Sequence, residues 1–236
     1  MARILVWDLP TRVFHWLLTL GLLACFGFSL LADEDSSLFS FHMILGIVLG
    51  VMLVMRVFWG FVGTTYARFD SFLFSPAAVA QYVKEAVTGS GQRHTGHNPG
   101  SSYAIFAMLA LVALIVATGL LVPNGSEVAE ELHEIASYAL LAVIAIHIIG
   151  VVVYTARHRK NITMSMIDGT KDGSPSEAIR SSRPLTAWLM VAAVVLLTAG
   201  LFRNYDRAGG LTTLPIIGTV IYLGENEAED NERDDD

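Results

Sequence analysis

The segment that decides the fold is ELHEIASYALLAVIAIHIIG, residues Glu131–Gly150. It is apolar enough to sit in a membrane, yet it carries two histidines, His133 and His147. Fourteen residues at about 100° each bring the two side chains to within about 40° of one another around a helix. At a rise of about 1.5 Å per residue they lie about 21 Å apart along its axis. The segment therefore predicts one helix face that presents two imidazoles at two depths.

Apolar segments of similar length recur along the whole chain. Of its 236 residues, 53% are hydrophobic and only 16% are charged, against about 25% charged in soluble domains. Most uncharged segments approach the roughly 20 residues that cross a bilayer, and the second extends to Val62 if Arg56 lies near the interface. We therefore predict an all-α membrane protein with five transmembrane helices. The uncharged segments are residues 13–32, 41–55, 101–122, 135–155 and 184–202.

The polar segments between these helices suggest a domain organisation. We expect residues 1–168 to form a four-helix transmembrane bundle and residues 169–183 to form a cytoplasmic linker. Residues 184–203 are expected to form the fifth transmembrane helix, and residues 204–236 an outer tail rich in acidic residues. In the longest loop, SPAAVAQYVKEAVTG predicts a short surface helix that begins after Ser75.

The distribution of basic residues predicts the orientation. Cytoplasmic segments of membrane proteins carry an excess of Lys and Arg. With the N-terminus inside, twelve of the 15 basic residues fall on the cytoplasmic side, whereas the outer segments ADEDSS, SEVAEELHE and ENEAEDNERDDD are acidic. We therefore expect a cytoplasmic N-terminus and an outer C-terminus, and nothing in this pattern indicates nucleic-acid binding. The twelve are Arg3, Arg12, Arg56, Arg68, Lys84, Arg93, Arg157, Arg159, Lys160, Lys171, Arg180 and Arg183.

This topology predicts two histidine pairs. His15 lies about one turn into the first helix from the cytoplasmic side, and His42 lies at the outer end of the second helix. The fourth helix runs inward, so that His133 is its outer histidine and His147 its inner one. Depth alone therefore pairs His42 with His133 and His15 with His147.

Two separate histidine pairs favour haem over other uses of histidine in a membrane. A proton relay would favour carboxylates within contact distance, and the cores of the first four helices hold none. A zinc site needs three or four clustered ligands, and the single cysteine, Cys25, cannot supply them. A b-type haem takes one imidazole on each side of its iron inside an apolar bundle. There is no CxxCH motif for covalent attachment. The alternative is that each histidine only hydrogen-bonds a neighbouring helix.

Four further residues are candidates for cofactor contacts. Gly46 and Gly50 follow His42 on the same side of its helix, where the absence of a side chain would let a flat macrocycle approach, although GxxxG is also a plain helix-packing motif. Arg12 and Arg56 are candidates for binding haem propionates, although their charges are equally explained by topology. His94 and His97 are predicted to belong to a solvated loop.

Several motifs together resemble one known family. They are VWDLPTRVFHW at the first helix, FHMILGIVLGVMLVMRVFWGFVG at the second, GHNPG before the third and LHEIASYALLAVIAIHIIGVVVY at the fourth. Over roughly residues 3–168 the chain resembles the bacterial di-haem cytochrome b561 group, which includes the b-type cytochrome subunit of nickel–iron hydrogenases. The resemblance implies that His15 and His147 bind one haem and that His42 and His133 bind the other.

The resemblance also implies a function. We expect an electron-transfer subunit in the bacterial inner membrane that exchanges electrons between a quinone and a periplasmic c-type cytochrome, dehydrogenase or hydrogenase subunit. One alternative is a stand-alone superoxide:quinone oxidoreductase, which would need a cationic outer funnel, whereas the outer loops are acidic. A second alternative is a non-haem transporter or scaffold protein, which would be colourless.

Overall fold

Seven helices make up most of the molecule. The computed structural model describes residues 2–31, 39–88, 94–206, 209–215 and 218–223. Five helices within these ranges are long and apolar enough to cross a membrane, namely α1, α2, α4, α5 and α7. The prediction of a helical multi-pass membrane protein is confirmed. The helices are α1 (Leu9–Leu31), α2 (Phe39–Val62), α3 (Pro76–Thr88), α4 (Pro99–Gly119), α5 (Glu127–His158), α6 (Ser165–Asp168) and α7 (Pro184–Arg203).

Polar side chains define where several helices begin. The Asp8 carboxylate accepts a hydrogen bond from the Thr11 amide at 2.9 Å and thereby caps α1. The Ser75 hydroxyl accepts one from the Ala78 amide at 3.2 Å, which confirms the predicted start of the surface helix α3. Asn98 forms a capping box at the start of α4. These caps satisfy amide groups that the first turn of a helix leaves without partners.

The long helices pack in a consistent order. α1 lies along α2, α2 along α4, and α4 along α5, while α7 packs against α1 and α2. One buried cluster joins α1, α2 and α7 and includes Ile44 and Leu201. A second joins α2, α4 and α5 through Leu53, Val112 and Leu140. Within the described residues no comparable packing joins α1 to α5.

A small sheet closes the end of the bundle at which α1 begins. Strand β1 (Ala2–Leu5) pairs antiparallel with β2 (Thr170–Gly173), and we call this end the β1 end. The segment 169–183 is folded against the N-terminus, since the Leu9 amide also donates to the Ser182 carbonyl at 2.8 Å. The separation of a 1–168 unit from a linker at 169–183 stays a prediction.

A hairpin lies at the opposite end of the bundle, which we call the β3 end. Strands β3 (Leu211–Thr213) and β4 (Val220–Tyr222) pair antiparallel. The Thr212 hydroxyl donates to the Leu201 carbonyl at 2.8 Å, and Leu223 is buried. The hairpin is thus anchored to α7. Most of the acidic outer segments, including residues 33–37 and 224–236, lie outside the described residues.

Candidate functional site

The first histidine pair lies near the β3 end. His42 in the first turn of α2 and His133 in the second turn of α5 have ring centres 6.1 Å apart, with their planes at 67°. Two imidazoles that bind one metal ion from opposite sides, each with its nitrogen about 2 Å from the ion, would have ring centres about 6 Å apart. The pair that depth predicted is therefore brought together by the fold, at a separation that suits two ligands of one metal.

The His42 ring is oriented from α1. Its Nδ1 donates a hydrogen bond to the Cys25 carbonyl at 2.9 Å, and the Cys25 thiol lies 3.6 Å from the His42 carbonyl oxygen. The Phe39 ring stacks on the imidazole with a centre separation of 5.3 Å. Cys25 therefore orients the His42 ring through its backbone carbonyl, a role that the sequence did not reveal.

The His133 ring is oriented from α4. Its Nδ1 donates to the Ile115 carbonyl at 2.9 Å, and the Thr118 hydroxyl lies 3.4 Å from the same nitrogen. A Cβ atom added to Gly119 would lie only 3.0 Å from Cε1 and 3.1 Å from Nδ1 of the imidazole. The ring thus fits because residue 119 has no side chain. The only signal in the sequence was a glycine near the end of the third apolar segment.

Both hydrogen bonds leave Nε2 as the nitrogen that can bind a metal. Metal-binding histidines usually donate their other ring N–H to a carbonyl or carboxylate, which fixes the tautomer and raises ligand basicity. Among the described residues no group of three or more His, Cys, Asp or Glu side chains could hold a metal ion. A two-ligand site suits a metal whose remaining bonds come from a cofactor, as in haem.

The second histidine pair lies toward the β1 end. His15 is in the second turn of α1, and His147 is on α5, about 21 Å from His133 along the helix axis. The two side chains are close enough to interact electrostatically. The Nδ1 atom of His15 is enclosed and has no hydrogen-bond partner among the described residues. Joint binding of one metal by this second pair stays a prediction.

Unpartnered polar atoms concentrate at this end of the bundle. Within the part of the chain that the structure describes, six buried side-chain nitrogen or oxygen atoms lack a hydrogen-bond partner. All six belong to the beginning of α1, the end of α2, the segment before α4 or the end of α5. Such atoms are rare in folded proteins and usually mark a missing ligand or water. They are Thr11 Oγ1, Arg12 Nε, His15 Nδ1, Arg56 Nη1, His97 Nε2 and Thr155 Oγ1.

The two arginines that the sequence singled out are among these residues. Arg56 is only 4% exposed, and its guanidinium lies over the Phe69 ring at 5.2 Å and the Phe14 ring at 6.0 Å. Arg12 donates to the Ile167 carbonyl with one nitrogen and leaves Nε without a partner. Both therefore have donors directed to no protein acceptor.

The solvated environment predicted for His97 is wrong. Its ring lies against Trp7 and Phe72, with centre separations of 4.6 and 4.5 Å, and its Nε2 is enclosed. Burial, with the positive charges of Lys171 and Arg56, lowers the pKa of His97 to about 3. The GHNPG motif was the sequence signal here, but the aromatic residues that enclose the ring come from distant parts of the chain.

The two candidate glycines differ in their surroundings. A Cβ atom added to Gly46, one turn after His42, would meet nothing within 4 Å. A Cβ atom added to Gly50 would lie 2.8 Å from the Val116 side chain of α4. Gly46 thus borders open space beside the first pair, whereas Gly50 makes a helix-packing contact, and its place in a cofactor cradle stays a prediction.

Comparison with known proteins agrees with this architecture. The profile of the family described as prokaryotic cytochrome b561 matches residues 6–169. The chain is also 26% identical over 212 residues to a probable Ni/Fe-hydrogenase B-type cytochrome subunit from Rhizobium leguminosarum bv. viciae, covering 70% of this chain and 87% of that protein. No solved structure matches the chain significantly. Because the family match spans most of the chain and all four paired histidines, this protein belongs to the prokaryotic cytochrome b561 family.

Proposed function

We propose that this membrane b-type cytochrome carries two haems and transfers electrons across the bacterial inner membrane between a periplasmic redox partner and the quinone pool. The observation that carries the proposal is the His42–His133 pair. Its rings lie 6.1 Å apart, and each Nδ1 donates to a backbone carbonyl. A haem bound by two histidines supplies a one-electron carrier with no open coordination position.

The protein's own groups would hold each haem and tune it. At the first level, the carbonyls of Cys25 and Ile115 hold the two imidazoles in the tautomer that leaves Nε2 free, and the open space beside Gly46 leaves room for a macrocycle. At the second level, His15 and His147 would bind the iron.

The arginines near the second level would bind propionates. The unpartnered Nε of Arg12 and Nη1 of Arg56 are cationic donors near His15 and suit carboxylates. The surrounding apolar helices would limit the access of water to both levels. Exclusion of water limits the solvent reorganisation that accompanies each electron transfer.

The orientation follows from charge. The β1 end carries most of the basic residues of the chain, including Arg12, Lys160 and Lys171, and we assign it to the cytoplasmic side. The His42–His133 level then lies near the periplasmic side, within reach of an external electron donor or acceptor. The N-terminus would be cytoplasmic and the C-terminus periplasmic.

The partner is inferred from the relative. That protein is named as a probable cytochrome subunit of a Ni/Fe hydrogenase, and we infer that this chain likewise serves a periplasmic hydrogenase, dehydrogenase or c-type cytochrome rather than acting alone. The family match ends at residue 169. Helix α7 and the β3–β4 hairpin therefore supply a surface that the family does not define, at the end of the bundle that a periplasmic partner would approach.

Optical spectra with haem quantitation test the proposal. The purified protein should show low-spin b-type bands and contain about two haems per chain, one for each histidine pair. His133→Ala and His147→Ala should each remove one haem. His158→Ala is the matched control, since His158 lies at the end of α5 and stacks on Tyr154 outside both pairs. A colourless wild-type protein, or full haem content in both ligand variants, would refute the proposal.

A further inference from the structure

The β1 end of the bundle holds buried positive charge that no carboxylate among the described residues satisfies by an ion pair. Within the described residues Arg56 has no ion pair, and its Nη1 has no hydrogen-bond partner although the residue is only 4% exposed. A buried charge is costly unless it is paired. This arrangement therefore calls for an anion that is not part of the chain.

Asp8, the nearby carboxylate, does not serve as that partner. It interacts electrostatically with Arg56, but both of its oxygens accept hydrogen bonds from other groups. Oδ1 accepts from the Thr11 amide at 2.9 Å, and Oδ2 accepts from Trp59 Nε1 at 3.0 Å and the Thr64 hydroxyl at 2.6 Å. Asp8 is thus fixed as the cap of α1, and the Arg56 donor remains unsatisfied.

His97 is held rigidly beside this charge. The rings of Trp7 and Phe72 pack on the imidazole, and Phe72 in turn lies 5.9 Å from Phe69, the ring beneath Arg56. The backbone before His97 is fixed as well, because Lys171 Nζ donates to the Thr95 and Gly96 carbonyls, both at 2.9 Å. In the tautomer that carries its proton on Nε2, a neutral imidazole fixed in this way, with Nε2 enclosed and unpartnered, is a preformed hydrogen-bond donor.

We propose that His97 is a further cofactor-binding residue that, together with Arg56, binds a propionate carboxylate of the haem held by His15 and His147. The inference rests on the proposed haem at this level. Arg56 Nη1 is a cationic donor, His97 adds a second donor in that tautomer, and the charges around His97 are cationic, so that the missing ligand is an anionic acceptor. A haem carries two such carboxylates. The neutral imidazole adds a donor without adding a further buried charge.

Two substitutions of His97 separate donation from packing. His97→Phe keeps an aromatic ring between Trp7 and Phe72 but removes the donor, whereas His97→Gln keeps a donor without the ring. Loss of the donor leaves more negative charge on the propionate, which stabilises the oxidised iron. We expect His97→Phe to lower the midpoint potential of the His15–His147 haem alone and His97→Gln to stay near the wild type. The His42–His133 haem, titrated in the same sample, is the internal control.

Several results would overturn the inference. The first is an unchanged midpoint potential of the His15–His147 haem in His97→Phe. The second is a shift of that potential that is equal in His97→Phe and His97→Gln. The third is loss of quinone reduction while the potentials of both haems stay unchanged, which would assign the His97 donor to the quinone. A wild-type protein without a haem at the His15–His147 level would instead refute the proposed function.

A measurement without substitution of His97 covers the case in which His97→Phe does not assemble. His133→Ala, which should retain only the His15–His147 haem, is prepared with haem 13C-labelled at the propionate carboxyls. The protein is also labelled with 15N-histidine, and the dephasing of the carboxyl 13C signal by histidine 15N is measured by solid-state NMR. A carboxyl signal that histidine 15N dephases indicates a histidine side chain in contact with the propionate, which Arg12 and Arg56 cannot mimic, and supports the inference. A carboxyl signal that histidine 15N leaves unchanged overturns it.

Discussion

Gly119 controls the position of a predicted haem ligand, and its replacement by alanine gives a quantitative test. The added Cβ would lie 3.0 Å from Cε1 and 3.1 Å from Nδ1 of His133, so that the ring must move by a few tenths of an ångström. The displaced atom is the donor of the 2.9 Å hydrogen bond to the Ile115 carbonyl. We therefore expect Gly119→Ala to lengthen this bond without removing the ligand.

The effect on the haem follows from the role of that hydrogen bond. Donation from Nδ1 raises the basicity of the imidazole and favours the oxidised iron. A typical hydrogen bond contributes about 0.5–1.5 kcal/mol, so that weakening this one should cost the oxidised state about 0.5–1 kcal/mol. For a one-electron couple, in which about 59 mV is a tenfold change in the equilibrium constant, this is a rise in midpoint potential of about 20–40 mV.

A potentiometric titration followed by optical spectroscopy would measure both proposed haems in one sample. Gly119→Ala should raise the potential of the His42–His133 haem and leave the other unchanged. Gly150→Ala is the matched control, since a Cβ atom there meets nothing within 4 Å and the residue is exposed on α5. An unchanged potential in Gly119→Ala, or an equal shift in Gly150→Ala, would refute the reasoning.

Three further predictions concern the β1 end. Asp8→Ala leaves the buried Trp59 donor without its acceptor and should lower the free energy of unfolding by about 2–4 kcal/mol, measured as a lower Tm in detergent. Asp8→Asn should lower the stability less. An unchanged Tm in Asp8→Ala would contradict this prediction. Burial lowers the pKa of Lys171 from 10.5 to about 8, so that between these pH values the unfolded chain holds a proton that the folded chain has released. Stability should therefore rise with pH across this window, and thermal melts of Lys171→Met should lack that rise; identical slopes would refute the assignment. Gly60→Ala would place a Cβ atom on the Phe69 ring and should lower the Tm by an amount that corresponds to about 1–3 kcal/mol, and a Tm like that of Gly150→Ala would argue against this contact.

Hydropathy and residue spacing alone were enough to predict the membrane helices and to propose two histidine levels. Uncharged segments of nearly 20 residues cross a bilayer in whichever fold they occur, because backbone groups in hydrocarbon must be satisfied within a helix. The fourteen-residue spacing of His133 and His147 depends only on helix geometry. Alternation of direction between successive helices then brought His42 and His15 to matching depths.

Only the tertiary structure decided how these histidines are held. The carbonyls of Cys25 and Ile115 become partners of His42 and His133 because neighbouring helices approach at particular residues, and spacing along one helix does not encode such an approach. Every residue offers the same carbonyl group, so that the sequence cannot mark which one is used. The role of Gly119 is also hidden in the sequence, because it depends on the His133 ring, which occupies the space that a side chain at residue 119 would fill.

The β1 end shows most clearly the difference between what local sequence patterns predict and what long-range contacts determine. Residues 169–183 were expected to form a cytoplasmic linker, and residues 170–173 in fact pair with the N-terminal strand, while Lys171 binds the loop before α4. The burial of His97 depends on Trp7 and Phe72, which are distant in the chain and come together only when β1, β2 and this loop assemble. Short-range patterns record helix periodicity and hydropathy, whereas enclosure of a loop side chain depends on contacts between segments that are far apart in sequence.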